Sequence, residues 1–155
     1  MKYKILFAIG IAVLLSVACE TTRYSMGTPE GFAKFEKEQQ LIKFVSSDSI
    51  RIKARSIKNE PYGDIAMWSD TVKHYLTSNG YHEVSVKEIA TPENLQGRYT
   101  EYRIRYNAED YIYAVALFVD RENIFIVEAG GEKKHYDRKR NSVVDAVKSF
   151  RRDGR

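Results

Sequence analysis

The sequence predicts an α+β fold, an antiparallel β-sheet with helices packed on its faces in the order ββαββββα. Three observations predict it. Several stretches alternate apolar and polar residues and are separated by turn residues at hairpin spacing, as in half-buried antiparallel strands. Two stretches instead carry their apolar residues at helical spacing. One segment, Tyr111 to Val119 (YIYAVALFV), is apolar at every position, the pattern of a central strand covered on both faces, which puts helices on opposite sides of the sheet. Composition agrees: 155 residues suit one domain, and 9 Gly, 1 Cys and 12% aromatics exclude collagen-like, disulfide-rich and disordered classes. The net charge of +4 is modest and demands no nucleic acid as a partner.

The first element lies outside the fold. Lys2 and Lys4 precede an apolar run, Ile5 to Val17, that ends in Ala18 and Cys19. That order reads as a signal peptide over residues 1–18, its roughly 15 apolar residues being short for a ~30 Å hydrocarbon core. Leu15-Ser16-Val17-Ala18-Cys19 resembles the bacterial lipobox, whose cysteine receives a lipid before cleavage ahead of it, although Ser16 stands where Leu is usual. The expectation is a palmitate-type lipid anchor on Cys19, holding the exported chain to a membrane of the cell envelope, inner or outer. An ordinary signal peptide with an incidental cysteine, or an uncleaved anchor, are the alternatives.

Residues 20–31 are polar, with Gly27, Pro29 and Gly31, and residues 19–34 read as a flexible tether from Cys19; the domain is expected over residues 35–152. Glu38 to Val45, the turn Ser46 to Ser49 and Ile50 to Ile57 form a hairpin in which Ile50, Ile52 and Ala54 alternate with Arg51, Lys53 and Arg55. Asp64 is placed to cap a helix whose stripe is Ile65, Trp68, Val72, Tyr75 and Leu76, with Gly80 stopping it; Trp68 is expected in the core. Strands follow over Tyr81 to Ile89, Tyr99 to Tyr106, Tyr111 to Val119 and Ile124 to Ala129, the last ended by Gly130-Gly131. A final helix begins near Asp137 with Val143, Val147 and Phe150 on one face.

The opening hairpin, the Trp68 helix ending at Asn79-Gly80-Tyr81, and the closing pair YIYAVALFV and IFIVEAGG before the Val143/Val147/Phe150 helix resemble the PsbP-like fold. That fold includes the lumenal photosystem II extrinsic protein and small bacterial lipoproteins such as DcrB. The resemblance implies a non-enzymatic binding or assembly module and transfers no site residue.

His74, His82 and His135 come without HxH, HExxH or cysteine partners, so no metal is expected, and no nucleophile or phosphate-loop motif accompanies them. No cofactor is expected either. Two clusters stand out. Tyr99, Tyr102, Tyr106, Tyr111 and Tyr113 fall within fifteen residues and either floor a ligand groove or pack at sheet faces. Lys133, Lys134, Arg138, Lys139 and Arg140 lie in a C-terminal region, residues 131–155, with nine Lys/Arg against four Asp/Glu; they suit anionic lipid headgroups or a solvated helix face. The expected function is a membrane-anchored envelope lipoprotein that binds an envelope protein or component without catalysis. The alternative is an envelope enzyme or small-ligand carrier with a tyrosine-lined cavity.

Overall fold

A computed structural model describes residues 24–35 and 41–152 of the chain. Cys19, the leader and the first residues of the expected tether lie outside them. The elements are β1 (Tyr24–Ser25), β2 (Phe32–Phe35), β3 (Ile42–Ser46), β4 (Arg51–Lys58), α1 (Ile65–Ser78), β5 (His82–Ala90), β6 (Gln96–Tyr106), β7 (Glu109–Val119), β8 (Asn123–Glu132), α2 (Lys133–Lys148) and β9 (Arg151–Arg152). Strands β2 to β8 form one seven-stranded sheet in the order β2-β3-β4-β8-β7-β6-β5, antiparallel throughout. The class is α+β, as the alternation and the helical stripes predict.

Local chemistry accounts for the ends of α1. The Asp64 carboxylate accepts the Met67 N–H at 2.8 Å, satisfying a donor that the first turn leaves free. At the other end Gly80 takes φ +85°, and the N–H groups of Gly80 and Tyr81 donate back to the carbonyls of Thr77 and Leu76. That paired closure needs a left-handed residue, which glycine supplies without strain.

The two faces of the sheet are covered differently. On one, α2 brings Tyr136, Val143 and Val147 down onto Ala54, Ala114, Ala116 and Ala129, all of them buried. Small residues in the sheet let the helix approach closely. On the other, α1 buries Leu76 over Tyr102, Val115, Leu117, Ile124 and Ile126. Strand β7 thus contributes Ile112, Ala114, Ala116 and Phe118 to one core and Val115 and Leu117 to the other, which is why its whole length is apolar.

Four expectations change. Residues 24–34, expected within a flexible tether, are built into the domain from β1 onward. Tyr24 pairs with Arg152, stacks on Phe150 at 5.8 Å and donates its hydroxyl to the Ala54 carbonyl, while β2 pairs along β3. A two-residue strand carries no periodicity, so its signal exists only in partners far along the chain. Gly130 and Gly131 do not end β8 but lie inside it, opposite Tyr113 and Ile112. A Cβ on Gly131 would fall 2.4 Å from the Ile50 side chain, so glycine here permits the β3–β4 turn to close over β8. Helix α2 starts at Lys133, a turn earlier than expected.

The fourth concerns Trp68, which is half-buried at the margin of the α1 core, its indole N–H donating to Asn59 Oδ1 at 2.8 Å. Trp68→Ala should therefore cost about 1–2 kcal/mol, well below the ~3–5 kcal/mol of a fully buried aromatic truncation. Urea unfolding measures it, and a loss above about 3 kcal/mol would return Trp68 to the core.

Candidate functional site

The α2-covered face can be read row by row from the strand register. One row runs Ala54, Val127, Ala116, Tyr99, Lys87 across β4, β8, β7, β6 and β5; the next runs Ile52, Ala129, Ala114, Glu101, Ser85. A third passes from Gly131 through Ile112 to Arg103. The first two rows are apolar beneath α2, reach its margin at the buried Tyr99 and Glu101 of β6, and pass beyond the helix on β5; the third leaves α2 at Arg103. There a cleft of about 340 Å³ opens, with Val84, Ser85 and Lys87 on β5, Arg103 and Ile112 on β6 and β7, and Lys133 and Arg140 on α2.

A buried polar chain fixes the inner wall of this cleft. Arg140 Nε donates to both oxygens of Glu101, at 3.0 and 3.2 Å. The Tyr99 hydroxyl donates to Glu101 Oε1 at 2.9 Å, which leaves Tyr136 to donate to Tyr99 at 2.7 Å. Burial pushes the Tyr99 and Tyr136 phenols far above their ordinary range, so both remain neutral donors. Glu101 is itself 4% exposed, and its charge is spent on Arg140 within the chain.

A second concavity, of about 540 Å³, lies at one end of the sheet, lined by Tyr62 and Ile65 near the start of α1, Leu95 and Gln96 before and in β6, and Val119 and Arg121 at and after the end of β7. Its walls are held by Asn59, which is 4% exposed. Sequence reasoning missed both Asn59 and Glu101. The alternation Tyr99, Glu101, Arg103 was visible as one strand face, but nothing local said that Arg140 would answer Glu101.

The five tyrosines do not share a groove. Tyr99 lies under α2 and Tyr102 under α1, on opposite faces, because their separation is odd. Burial pushes the Tyr102 phenol up to about 12. Tyr113 is half-buried, with its hydroxyl on Glu128 and its ring 5.7 Å from Tyr81; Tyr111 is half-buried and Tyr106 is 65% exposed. Tyrosine here is chiefly sheet packing.

The basic cluster is answered by acids. Lys133 and Arg140 both reach Asp137, and the hydrogen bond from Lys133 holds that carboxyl below the usual range. Lys134 pairs with Glu132 at 2.7 Å, and Arg138 lies 3.7 Å from Asp48. Asp48 is held low by the Ser46 hydroxyl, with Lys139 adding to it. The sequence reading counted Glu132 and Asp137 but not Asp48 and Glu101, which the β3–β4 turn and β6 bring to these cations, so most of the cluster is paired within the chain. His74 and His82 are exposed on α1 and β5, His135 sits beside Arg138 and Asp48, and no metal-holding group of three side chains occurs among the described residues.

No protein-family model and no curated protein matches this sequence. Solved structures do. LpqN of Mycobacterium tuberculosis, involved in cell envelope biogenesis, superposes with a TM-score of 0.67 at 10% identity, covering 84% of this chain and 83% of LpqN. Cyanobacterial PsbP from Synechocystis sp. PCC 6803 gives 0.57 at 11% identity, over 88% and 95%. The fold is PsbP-like. PA94 of Pseudomonas aeruginosa shares it as well, with a TM-score of 0.62 at 7% identity over 90% and 89% of the two chains. At these identities the PsbP-like likeness is one of fold alone and carries over no site residue.

Proposed function

We propose that this protein is a lipid-anchored bacterial envelope protein that works as a non-catalytic binding module through the uncovered β5 side of its sheet. The observation that carries the reading is the edge itself. Among the described residues β5 has no strand on its outer side, and Val84 and Val86 are 48% and 47% exposed along it. An unpaired edge with apolar side chains, next to a sheet face that α2 leaves open while α1 packs on the other, is a surface suited to a partner. The lipobox-like residues before Cys19 and the envelope role of LpqN support the setting.

Two measurements test it. Cys19→Ser should convert a lipid-modified, membrane-fractionating chain into an unmodified one, read by mass spectrometry of the intact protein; unchanged mass and partitioning would remove the anchor. A photo-crosslinking residue at Val86 should give a discrete adduct in cells, while the same residue at Tyr75, 67% exposed on α1, should give none. Equal crosslinking at both positions, or none at Val86, would overturn β5 as the binding edge.

A further inference from the structure

The cleft beside β5 holds a surplus of donors and positive charge that the chain does not answer. Four cations line it, and the two on α2 are accounted for: Arg140 by Glu101 and Asp137, Lys133 by Asp137. Lys87 and Arg103 meet no acid among the described residues, and both are exposed. The hydroxyl of Ser85 likewise has no acceptor there. Glu101 is the one carboxylate lining the cleft, and both its oxygens face Arg140. Two charges and three donor groups therefore stand without acceptors.

Their placement lets them converge. Lys87 lies opposite Tyr99, Ser85 opposite Glu101, and Arg103 two residues further along β6. At ~3.3 Å per residue the Lys87 and Arg103 positions are about 13 Å apart along the strands, and two such long side chains span that interval from either end. Ser85 sits between them. The floor is not polar throughout: Ile112 and Val84 supply an apolar wall.

We infer that the cleft between β5 and α2 binds a phosphate monoester, its dianion taken up by Lys87, Arg103 and the Ser85 hydroxyl and its carbon skeleton laid against Val84 and Ile112. Three terminal oxygens and two negative charges match the donors and charge left over, and a guanidinium grips such oxygens in pairs. A carboxylate would satisfy one cation and leave the other. The ligand is either a free phosphorylated metabolite or the headgroup of a phosphatidate-type lipid, since both present the same chemistry. The inference rests on the open β5 face proposed above but not on the lipid anchor.

The test uses the full chain in neutral detergent and titrates glycerol 3-phosphate, glutarate and acetate by calorimetry, with short-chain phosphatidate as a second phosphate source. Glycerol 3-phosphate should bind at one site per chain, more weakly as salt rises, and at least tenfold tighter than glutarate or acetate. Lys87→Gln and Arg103→Gln should each weaken it about tenfold, the loss of roughly one charge-assisted contact, and the double variant should abolish it. Arg121→Gln, in the other concavity, should change nothing. Phosphatidate binding tenfold tighter, competed by glycerol 3-phosphate and lost in the double variant, identifies the lipid headgroup as the source; weaker binding identifies the free ester. No saturable binding of either phosphate, glutarate binding as tightly, or binding that survives the double variant would overturn the inference. Such a failure with intact crosslinking at Val86 would remove the ligand while leaving the binding edge in place.

Discussion

Phe150→Ala should remove about 4 kcal/mol of folding stability, a large share of the ~5–15 kcal/mol that a domain possesses. Phe150 is fully buried just beyond the C-terminus of α2. Its ring stacks on Phe118 at 5.2 Å with 9° between planes, tilts against Phe125 at 5.3 Å and faces Tyr24 at 5.8 Å. Truncation loses the transfer term of a phenyl group, leaves a cavity between rings that cannot collapse onto one another, and forfeits the aromatic pairings, each worth ~0.5–1.5 kcal/mol. The urea midpoint should fall by about 2 M with the slope unchanged. Because Tyr24 loses its stacking partner, the β1–β9 pairing should show raised hydrogen exchange before the central sheet does. Phe150→Leu, which refills part of the space, should cost less than half as much. A loss below about 1 kcal/mol for Phe150→Ala would mean that this ring cluster is not where the two termini are held.

Asn59→Ala should cost about 3 kcal/mol, and for a different reason. An asparagine side chain has two donors and two lone pairs, and here all four are used. Nδ2 donates to the carbonyls of Gly63 and Asp120, each at 2.9 Å, while Oδ1 accepts from Gly63 N at 3.0 Å and Trp68 Nε1 at 2.8 Å. Its own backbone N–H donates to the Glu122 carbonyl. Alanine leaves two carbonyls and two N–H groups without partners around a buried position, each orphan costing ~1–3 kcal/mol less whatever water recovers. Asn59→Asp separates hydrogen bonding from packing. It conserves shape and the two accepted bonds but turns an anionic oxygen toward two carbonyls, so it should destabilise at least as much as alanine at neutral pH. Thermal unfolding of both variants reads the comparison. If Asn59→Asp proved neutral, the loop between β4 and α1 would be held by packing instead.

The elements best read from sequence were those whose cause is local. The cap at Asp64, the glycine closure at Gly80, the hairpin turn at Ser46 to Ser49 and the unbroken apolar run of β7 depend on residues a few positions apart. The misreadings share the opposite property. Gly130 and Gly131 look like a strand end until the register pairs Gly130 with Arg51 and Ile50 packs against Gly131, and Trp68 looks like core until α1 proves to bury little besides Leu76 and Ser69. The candidate site divides along the same line. Arg103 and Lys87 could be seen as charges on alternating strands, and the basic run from Lys133 to Arg140 was conspicuous. Which of those charges is spent and which is left over required the carboxylates of Asp48, Glu101 and Asp137 to be put in place.

By itself the sequence determined the α+β class, the order of elements from β3 to α2 and the covering of β7 on both faces, because periodicity, caps and turns are short-range consequences of backbone geometry. Only the tertiary structure decided that the segment from Tyr24 belongs to the domain, that tyrosines three residues apart enter separate cores, and that five basic side chains are mostly neutralised while Lys87 and Arg103 are not. Coulomb attraction and packing act through space between residues far apart in the chain, 126 positions in the case of Tyr24 and Phe150, and no spacing along the chain encodes which of them will meet.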